Sequence, residues 1–341
     1  MKLKFWIGIV ISIICLYLVF KGIEVHKLLE VLKSANYVYL ALATLINFSS
    51  FWMRAERWKY LLEPIKKIRS AHLFPVTVIG FMATNLLPAR AGEFVKAYMV
   101  GKKENISATA SFATIVLERV LDSLIILALF VLVLFWIDFK DRSPGISDPS
   151  INISGISPAV LKTTGILFAL GLAAVFIFLL LLKMYPTPAI TLTNKILFPL
   201  PKRIREQIAG ILESFSSGLK VLGKGSSLLP LLCWSLCVWV TCAGSIWVTL
   251  LAFDLHLPFF ASAFILVLIA FAVALPSSPG FIGPFHAATS AGLMFFSVDK
   301  STATGISLIL HLIMVGPVTL AGLFYLWVEN LSFSEIKQTN P

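Results

Sequence analysis

Apolar runs of about twenty residues recur along the chain between short polar intervals, and about twenty such residues are what an α-helix needs to cross a bilayer. Full spans are predicted near 4–20, 36–53, 108–136, 159–182, 228–252 and 302–327. Two further apolar segments, near 72–100 and 260–298, are interrupted. Residues 80–97 read GFMATNLLPARAGEFVKA and residues 270–287 read AFAVALPSSPGFIGPFHA. Each is an apolar run ending in Leu-Pro, followed by small residues, a glycine and a second apolar run. Leu87-Pro88 and Gly92 align with Leu275-Pro276 and Gly280 at one constant spacing. A helix break at membrane depth frees backbone groups that lipid cannot satisfy, so it survives only when buried in protein or lining a polar cavity. A matched pair of Gly/Pro-interrupted segments in two halves of a membrane protein is the pattern expected around a transport site.

Charge decides how the segments are threaded. Lys and Arg gather in 54–70 (Arg54, Arg57, Lys59, Lys66, Lys67, Arg69) and in 183–227, which places both intervals on the cytoplasmic side. The interval 138–158 holds Asp138, Asp141 and Asp148 among Ser, Pro and Gly and is expected outside. A single crossing by 72–100 would invert these assignments. A re-entrant hairpin from the cytoplasmic side repairs them, and the same logic makes 260–298 a hairpin from the outside. The expected fold is an all-α, polytopic transmembrane helical bundle: one integral membrane domain over 1–341, multi-pass in the cell membrane, with a cytoplasmic N-terminus. Its expected half-repeats, 1–137 and 159–328, are related by inversion and joined by the external loop 138–158. A count in which each broken segment crosses once or twice stays open. Segment 203–226 places Ile204, Ile208, Ile211, Leu212, Phe215 and Leu219 on one face, the pattern of an interfacial amphipathic helix. The Lys-bearing segment 21–35 is its counterpart. The basic intervals serve topology alone, or also attract anionic lipid head groups.

Composition narrows the function. With 58% hydrophobic and 13% charged residues and a mean hydropathy of +0.91, no interval is long enough for a soluble catalytic domain. The first span follows Lys2 and Lys4 without a small-x-small cleavage pattern and is read as uncleaved. Cys15, Cys233, Cys237 and Cys242 lie within apolar runs and are read as packing residues. No metal, cofactor or nucleic-acid partner is expected, and the sequence contains no Walker loop, GxSxG, HExxH or CxxC pattern.

An ionisable residue inside a span is costly and a functional candidate by default. Span 108–136 carries Glu118, Arg119 and Asp122 near its midpoint, and helical spacing puts all three on one face. They form either a self-compensated packing cluster or the wall of a polar cavity, in which one arginine cannot neutralise two carboxylates. Arg90 and Glu93 flank Gly92 where a new helix begins; helix-start amides and Arg90 could hold a phosphate, or Arg90 could pair with an acid and close the hairpin. The second break, Pro276, Ser277, Ser278, Pro279, Gly280 and Gly283, carries no charge but frees hydroxyls and carbonyls, as does Pro88 with Gly92 in the first. His286 and His311 fit either packing or proton transfer. Arg54, Glu56 and Arg57 fit snorkelling anchors or contacts to a lipid phosphate.

Three motifs in order, Asn85-Leu86-Leu87-Pro88-Ala89-Arg90-Ala91-Gly92-Glu93, Glu118-Arg119-Val120-Leu121-Asp122 and Pro276-Ser277-Ser278-Pro279-Gly280-Phe281-Ile282-Gly283, with Arg54 and Arg57-Trp58, resemble the flippase-like membrane family, also known as the lysylphosphatidylglycerol synthase transmembrane region. The resemblance covers nearly the whole chain. Some members fuse this region to a soluble aminoacyl transferase domain, which is missing here. Free-standing members are thought to move lipids or polyprenyl-linked glycans. The family often has a Glu shortly after the second Pro-Gly motif, where this chain has Phe285-His286. The resemblance therefore implies a translocator of a polar lipid, with a cavity lined by Arg90, Glu93, Glu118, Arg119 and Asp122. Its expected partners are membrane lipids bearing phosphate, and a membrane synthase or glycosyltransferase. The alternatives are an integral transferase acting on a lipid-linked substrate, with Glu118 or Asp122 as base, and a non-transporting partner of such an enzyme.

Overall fold

The computed structural model describes residues 2–23, 25–87, 91–136, 170, 185–198, 210, 228–274 and 277–329. Among them the chain is an all-α membrane helical protein without strands. The helices are α1 Lys2–Phe20, α2 Val25–Ser34, α3 Tyr37–Leu62, α4 Ser70–Leu86, α5 Gly92–Glu104, α6 Ala108–Trp136, α7 Pro186–Ile196, α8 Leu228–Ala252, α9 Phe259–Ala274, α10 Pro284–Phe295 and α11 Lys300–Val328, with a 3₁₀ turn at Pro279–Phe281. Leu229–Ala252 and Lys300–Val328 are each long and apolar enough to cross a membrane. Apart from residues 170 and 210, the expected span 159–182, the amphipathic segment 203–226 and the loop 138–158 lie outside the described residues, as do Pro88, Arg90 and Pro276.

Local chemistry sets the helix ends. Asn36 caps α3 by accepting from the Val38 amide at 3.0 Å, and Asp299 caps α11 by accepting from Ser301 and Thr302, both at 3.1 Å; such caps satisfy amides that a helix start leaves free. α2 and α3 meet at a 77° bend. Both interrupted segments are two helices packed on each other around a break, α4 on α5 and α9 on α10. Gly280 and Gly283 take φ of +72° and +102° in the second break, a region open to glycine at little cost. Gly92 is needed for space: a Cβ there would lie 2.0 Å from the Gly80 carbonyl and 2.2 Å from Thr84 Oγ1.

The packing pairs one half of the chain with the other. α3 lies along α8. Ser245 donates to the Ala43 carbonyl at 2.8 Å, while Arg57, farther along α3, donates to Ser235, earlier in α8, at 3.0 Å, so the two helices run antiparallel. On this seam Arg54 meets Cys242 and Met53 meets Thr241, each across 188 residues, the spacing that relates the two Leu-Pro breaks. Helix contacts recur in corresponding pairs: α3 on α4 and α8 on α9, α5 on α6 and α10 on α11, α4 on α11 and α9 on α6. There is also a core for each half, one around Trp58, Leu62, Ile79 and Ile115 and one around Ile246, Ile265, Leu293 and Ile306.

The polar contacts sort into two ends. At one, Lys66 Nζ lies 3.0 Å from the Glu104 carboxylate and His72 3.3 Å from it, while Lys103 pairs with Glu329. Both outer ends of the α4–α5 hairpin and the end of α11 therefore share one face. In this same layer, lysine and histidine bonding outweighs burial and holds the Glu104 carboxyl below its ordinary range. At the other end Asn36 donates to the Ala252 carbonyl at 2.8 Å, and Lys300 donates to the Leu18 and Lys21 carbonyls at 3.1 and 2.6 Å, closing the end of α1.

Candidate functional site

Hydropathy suggests that α3 ends near residue 53, yet the helix runs on to Leu62 and carries a polar stripe inward. Asn47, Ser50, Arg54 and Arg57 are all buried on it, at the three-to-four residue spacing of one helix face. Arg57, a candidate snorkelling anchor by sequence, is 0% exposed. It donates to Asp122 Oδ1 at 2.6 Å, to Glu118 Oε1 at 2.8 Å and to Ser235 Oγ at 3.0 Å. This bidentate fork spans both carboxylates of α6 in the geometry a planar guanidinium favours.

Lys96, which no sequence pattern singled out, completes the far side. Its ammonium donates to Glu118 Oε2 at 2.7 Å and sits 4.0 Å over the Trp58 ring, a cation–π contact. Trp58 is fixed by donation from Nε1 to Thr114 Oγ1 at 3.0 Å. Glu118 is thus 0% exposed with both oxygens taken. Asp122 also accepts from Trp239 Nε1 at 3.1 Å, which ties α8 into the network.

Arg119 and Glu93 form the rim. Arg119 Nε lies 2.9 Å from Glu93 Oε1 and its Nη1 3.3 Å from Asp122 Oδ2, with 34% of the Arg119 side chain exposed. Arg54 is held more loosely. Its nearest carboxylate oxygen, Asp122 Oδ2, is 3.9 Å away, Cys242 Sγ is also at 3.9 Å, and its Nε has no hydrogen-bond partner. Its guanidinium faces the rings of Phe81 and Trp239 at 5.1 and 5.6 Å. The structure therefore brings together Arg54, Arg57, Glu93, Glu118, Arg119 and Asp122 of the sequence candidates, and adds Lys96. Four basic groups face three carboxylates, the reverse of the acidic excess that α6 alone presents.

The second break packs against the C-terminal part of α4, which also carries Phe81 of this network. The 3₁₀ turn of the second touches α4, and a Cβ on Gly280 would lie 3.7 Å from the Asn85 carbonyl. Asn85 in turn donates to Thr319 Oγ1 at 3.1 Å. Ser278 is anchored by Ser12, whose Oγ accepts from the Ser278 amide at 3.0 Å. Ser277 and Pro279 flank it in the turn. His311 Nε2 lies 2.7 Å from the freed Gly280 carbonyl, and His286 packs beside it with ring centroids 4.8 Å apart and Ser307 Oγ at 3.4 Å. Among the described residues no group of three or more His, Cys, Asp or Glu is arranged to hold a metal.

The family of the lysylphosphatidylglycerol synthase TM region matches residues 5–322. Relatives include a UPF0104 membrane protein of Methanothermobacter thermautotrophicus, 31% identical over 140 residues, which are 40% of this chain and 41% of that protein. A UPF0104 membrane protein of Methanocaldococcus jannaschii is 28% identical over 127 residues, 36% of this chain and 38% of that one. The glycosyltransferase AglD of Haloferax volcanii is 30% identical over 123 residues, 36% of this chain and 20% of AglD. The match spans about two fifths of the UPF0104 relatives and a fifth of AglD.

Proposed function

We propose that this chain, which belongs to the lysylphosphatidylglycerol synthase TM region family, moves a phosphate-bearing polar or glycan-linked lipid between the two leaflets. The observation that carries this reading is a network of buried charge in an apolar bundle where the second helix break packs against α4 of the first interrupted segment. Buried charges at membrane depth are costly, and irregular backbone there is kept where it lines a cavity. On this reading the head group passes between the hairpins while the acyl chains stay in the lipid. Glu93, Arg119 and Arg54 line its path. The antiparallel α3–α8 seam and the corresponding helix pairs support half-repeats related by inversion and a multi-pass arrangement, and the basic intervals support a cytoplasmic N-terminus. A membrane synthase or glycosyltransferase would supply the lipid, a partner class that the AglD relative supports.

The test is reconstitution of the full chain in vesicles with a fluorescent phosphatidylglycerol, followed by dithionite quenching of the outer leaflet. Faster loss of the protected pool than in protein-free vesicles is the expected result. Unchanged protection would overturn translocation. A lipid whose mass changes only in the presence of the protein would replace it with a transferase.

A further inference from the structure

We infer that the polar cluster seats an anion between Arg54 and Arg119, and that Glu118 and Asp122 are held too fully to receive a cationic head group. This deepens the translocation reading and rests on it for the lipid as the source of the anion. Glu118 gives one oxygen to Arg57 at 2.8 Å and the other to Lys96 at 2.7 Å. Asp122 accepts from Arg57 at 2.6 Å and from Trp239 at 3.1 Å. Removing either basic partner to admit a cation would strand a buried carboxylate, an expensive exchange.

Among the basic groups, Arg54 has no such closure. Arg54 and Arg119 converge on one oxygen, Asp122 Oδ2, at 3.9 and 3.3 Å, and Arg57 also lies 3.3 Å from it. Both also face the Phe81 ring, at 5.1 and 5.8 Å, so two guanidinium groups are neighbours with a shared carboxylate edge between them. Arg54 is 7% exposed and has an unpartnered Nε. A buried guanidinium without full pairing calls for an anionic partner, and planar forks match phosphate oxygens. Arg119, one-third exposed beside Glu93, gives the way in. A head group of net negative charge fits beside the under-paired Arg54, whereas an aminoacylated one of net positive charge must compete with arginines for carboxylates they already pair with.

The test uses the purified full chain in detergent with three probes: dioctanoyl-phosphatidylglycerol, a dioctanoyl lipid with a trimethylammonium head group, and inorganic phosphate. Binding is read by native mass spectrometry and by the shift in thermal unfolding midpoint. The expected result is binding of the anionic lipid over the cationic one, weakened at least about tenfold by Arg54→Gln and less by Arg54→Lys. Arg119→Gln, at the accessible rim, gives a second test should Arg54→Gln fail to fold. Equal or tighter binding of the cationic lipid would overturn the inference, as would full binding by a folded Arg54→Gln. Phosphate binding as tightly as the lipid would keep the anion seat and overturn the lipid as its source. Selective binding without lipid movement in vesicles would remove the translocation reading alone. Lipid movement indifferent to head-group charge would remove this inference alone.

Discussion

Arg57 holds two helices to a third through a single side chain, and its removal has the largest expected consequence of any point change. Arg57→Leu leaves Glu118 and Asp122 facing each other in an apolar bundle with only Lys96 and the outer arginines to balance them. Breaking a buried pair in this way costs about 3–5 kcal/mol, so the unfolding midpoint in detergent should fall by many degrees, or folded protein should not be recovered. Lys96→Met strands only one oxygen of Glu118 and should cost less. Combining Lys96→Met with Glu118→Gln should cost less than the sum of the two single changes, because the second removes the charge that the first exposes; equal additivity in thermal unfolding would mean that the pair is not coupled. Glu118 and Asp122 were legible in the sequence because a carboxylate inside a 29-residue apolar helix has no trivial role. Arg57 was a candidate, but its pairing with the α6 carboxylates was hidden by its neighbours: between Arg54, Trp58 and Lys59 at the end of an apolar run it matches an interfacial anchor. The signal that could have found it is the Asn47, Ser50, Arg54, Arg57 stripe, since lipid-facing positions would not repeat polar residues at helical spacing. Lys96 carried no such signal, because α5 is short and its sequence mixes charged and apolar residues without a clear face.

Helices are legible where lipid dictates them and less so where protein does. The expected bounds 108–136 and 228–252 coincide with α6 and α8, because hydrocarbon thickness sets both the apolar run and the helix length. α3 outlasts its apolar run by more than two turns, since its polar residues are good helix formers and find partners inside the bundle. The breaks were visible as Leu-Pro and Gly signals, but what they pack against was not. Gly92 is where the two helices of the first hairpin cross. Gly92→Ala would put a methyl within 2.5 Å of the Thr84 amide as well as against the Gly80 carbonyl, and backbone atoms cannot step aside as a flexible side chain can. The hairpin must open, so a loss of several degrees in thermal unfolding is expected, with lipid movement lost as well. Gly244, in the middle of α8, has nothing within 4 Å of an added Cβ. Gly244→Ala should therefore be neutral or gain about 0.5–1 kcal/mol from helix propensity. Similar losses from both substitutions would mean that the α4–α5 crossing is not the constraint it is taken to be.

Across the whole molecule, the decisive question is whether the two hairpins enter from opposite sides. α4 and α9, with 17 and 16 residues, are each about 25 Å long, shorter than a hydrocarbon core of about 30 Å. Each can bring its break deep into the bilayer without emerging. The Lys66–Glu104 and Lys103–Glu329 pairs put both ends of the first hairpin and the end of α11 in one layer. The Asn36–Ala252 bond and the Lys300 contacts to α1 put the start of α9 and the end of α10 in the opposite layer, beside the start of α11. In a background with the four cysteines replaced by alanine, single cysteines at Glu104 and Glu329 should therefore react with a membrane-impermeant maleimide from one side of sealed vesicles. Cysteines at Asp254 and Asp299 should react only from the other. Labelling of all four from the same side would exclude the inverted arrangement and, with it, a path that passes from one hairpin to the other. Segregated labelling would fit a head-group route between leaflets past the point where Gly280 approaches Asn85 and along the arginines of α3 and α6.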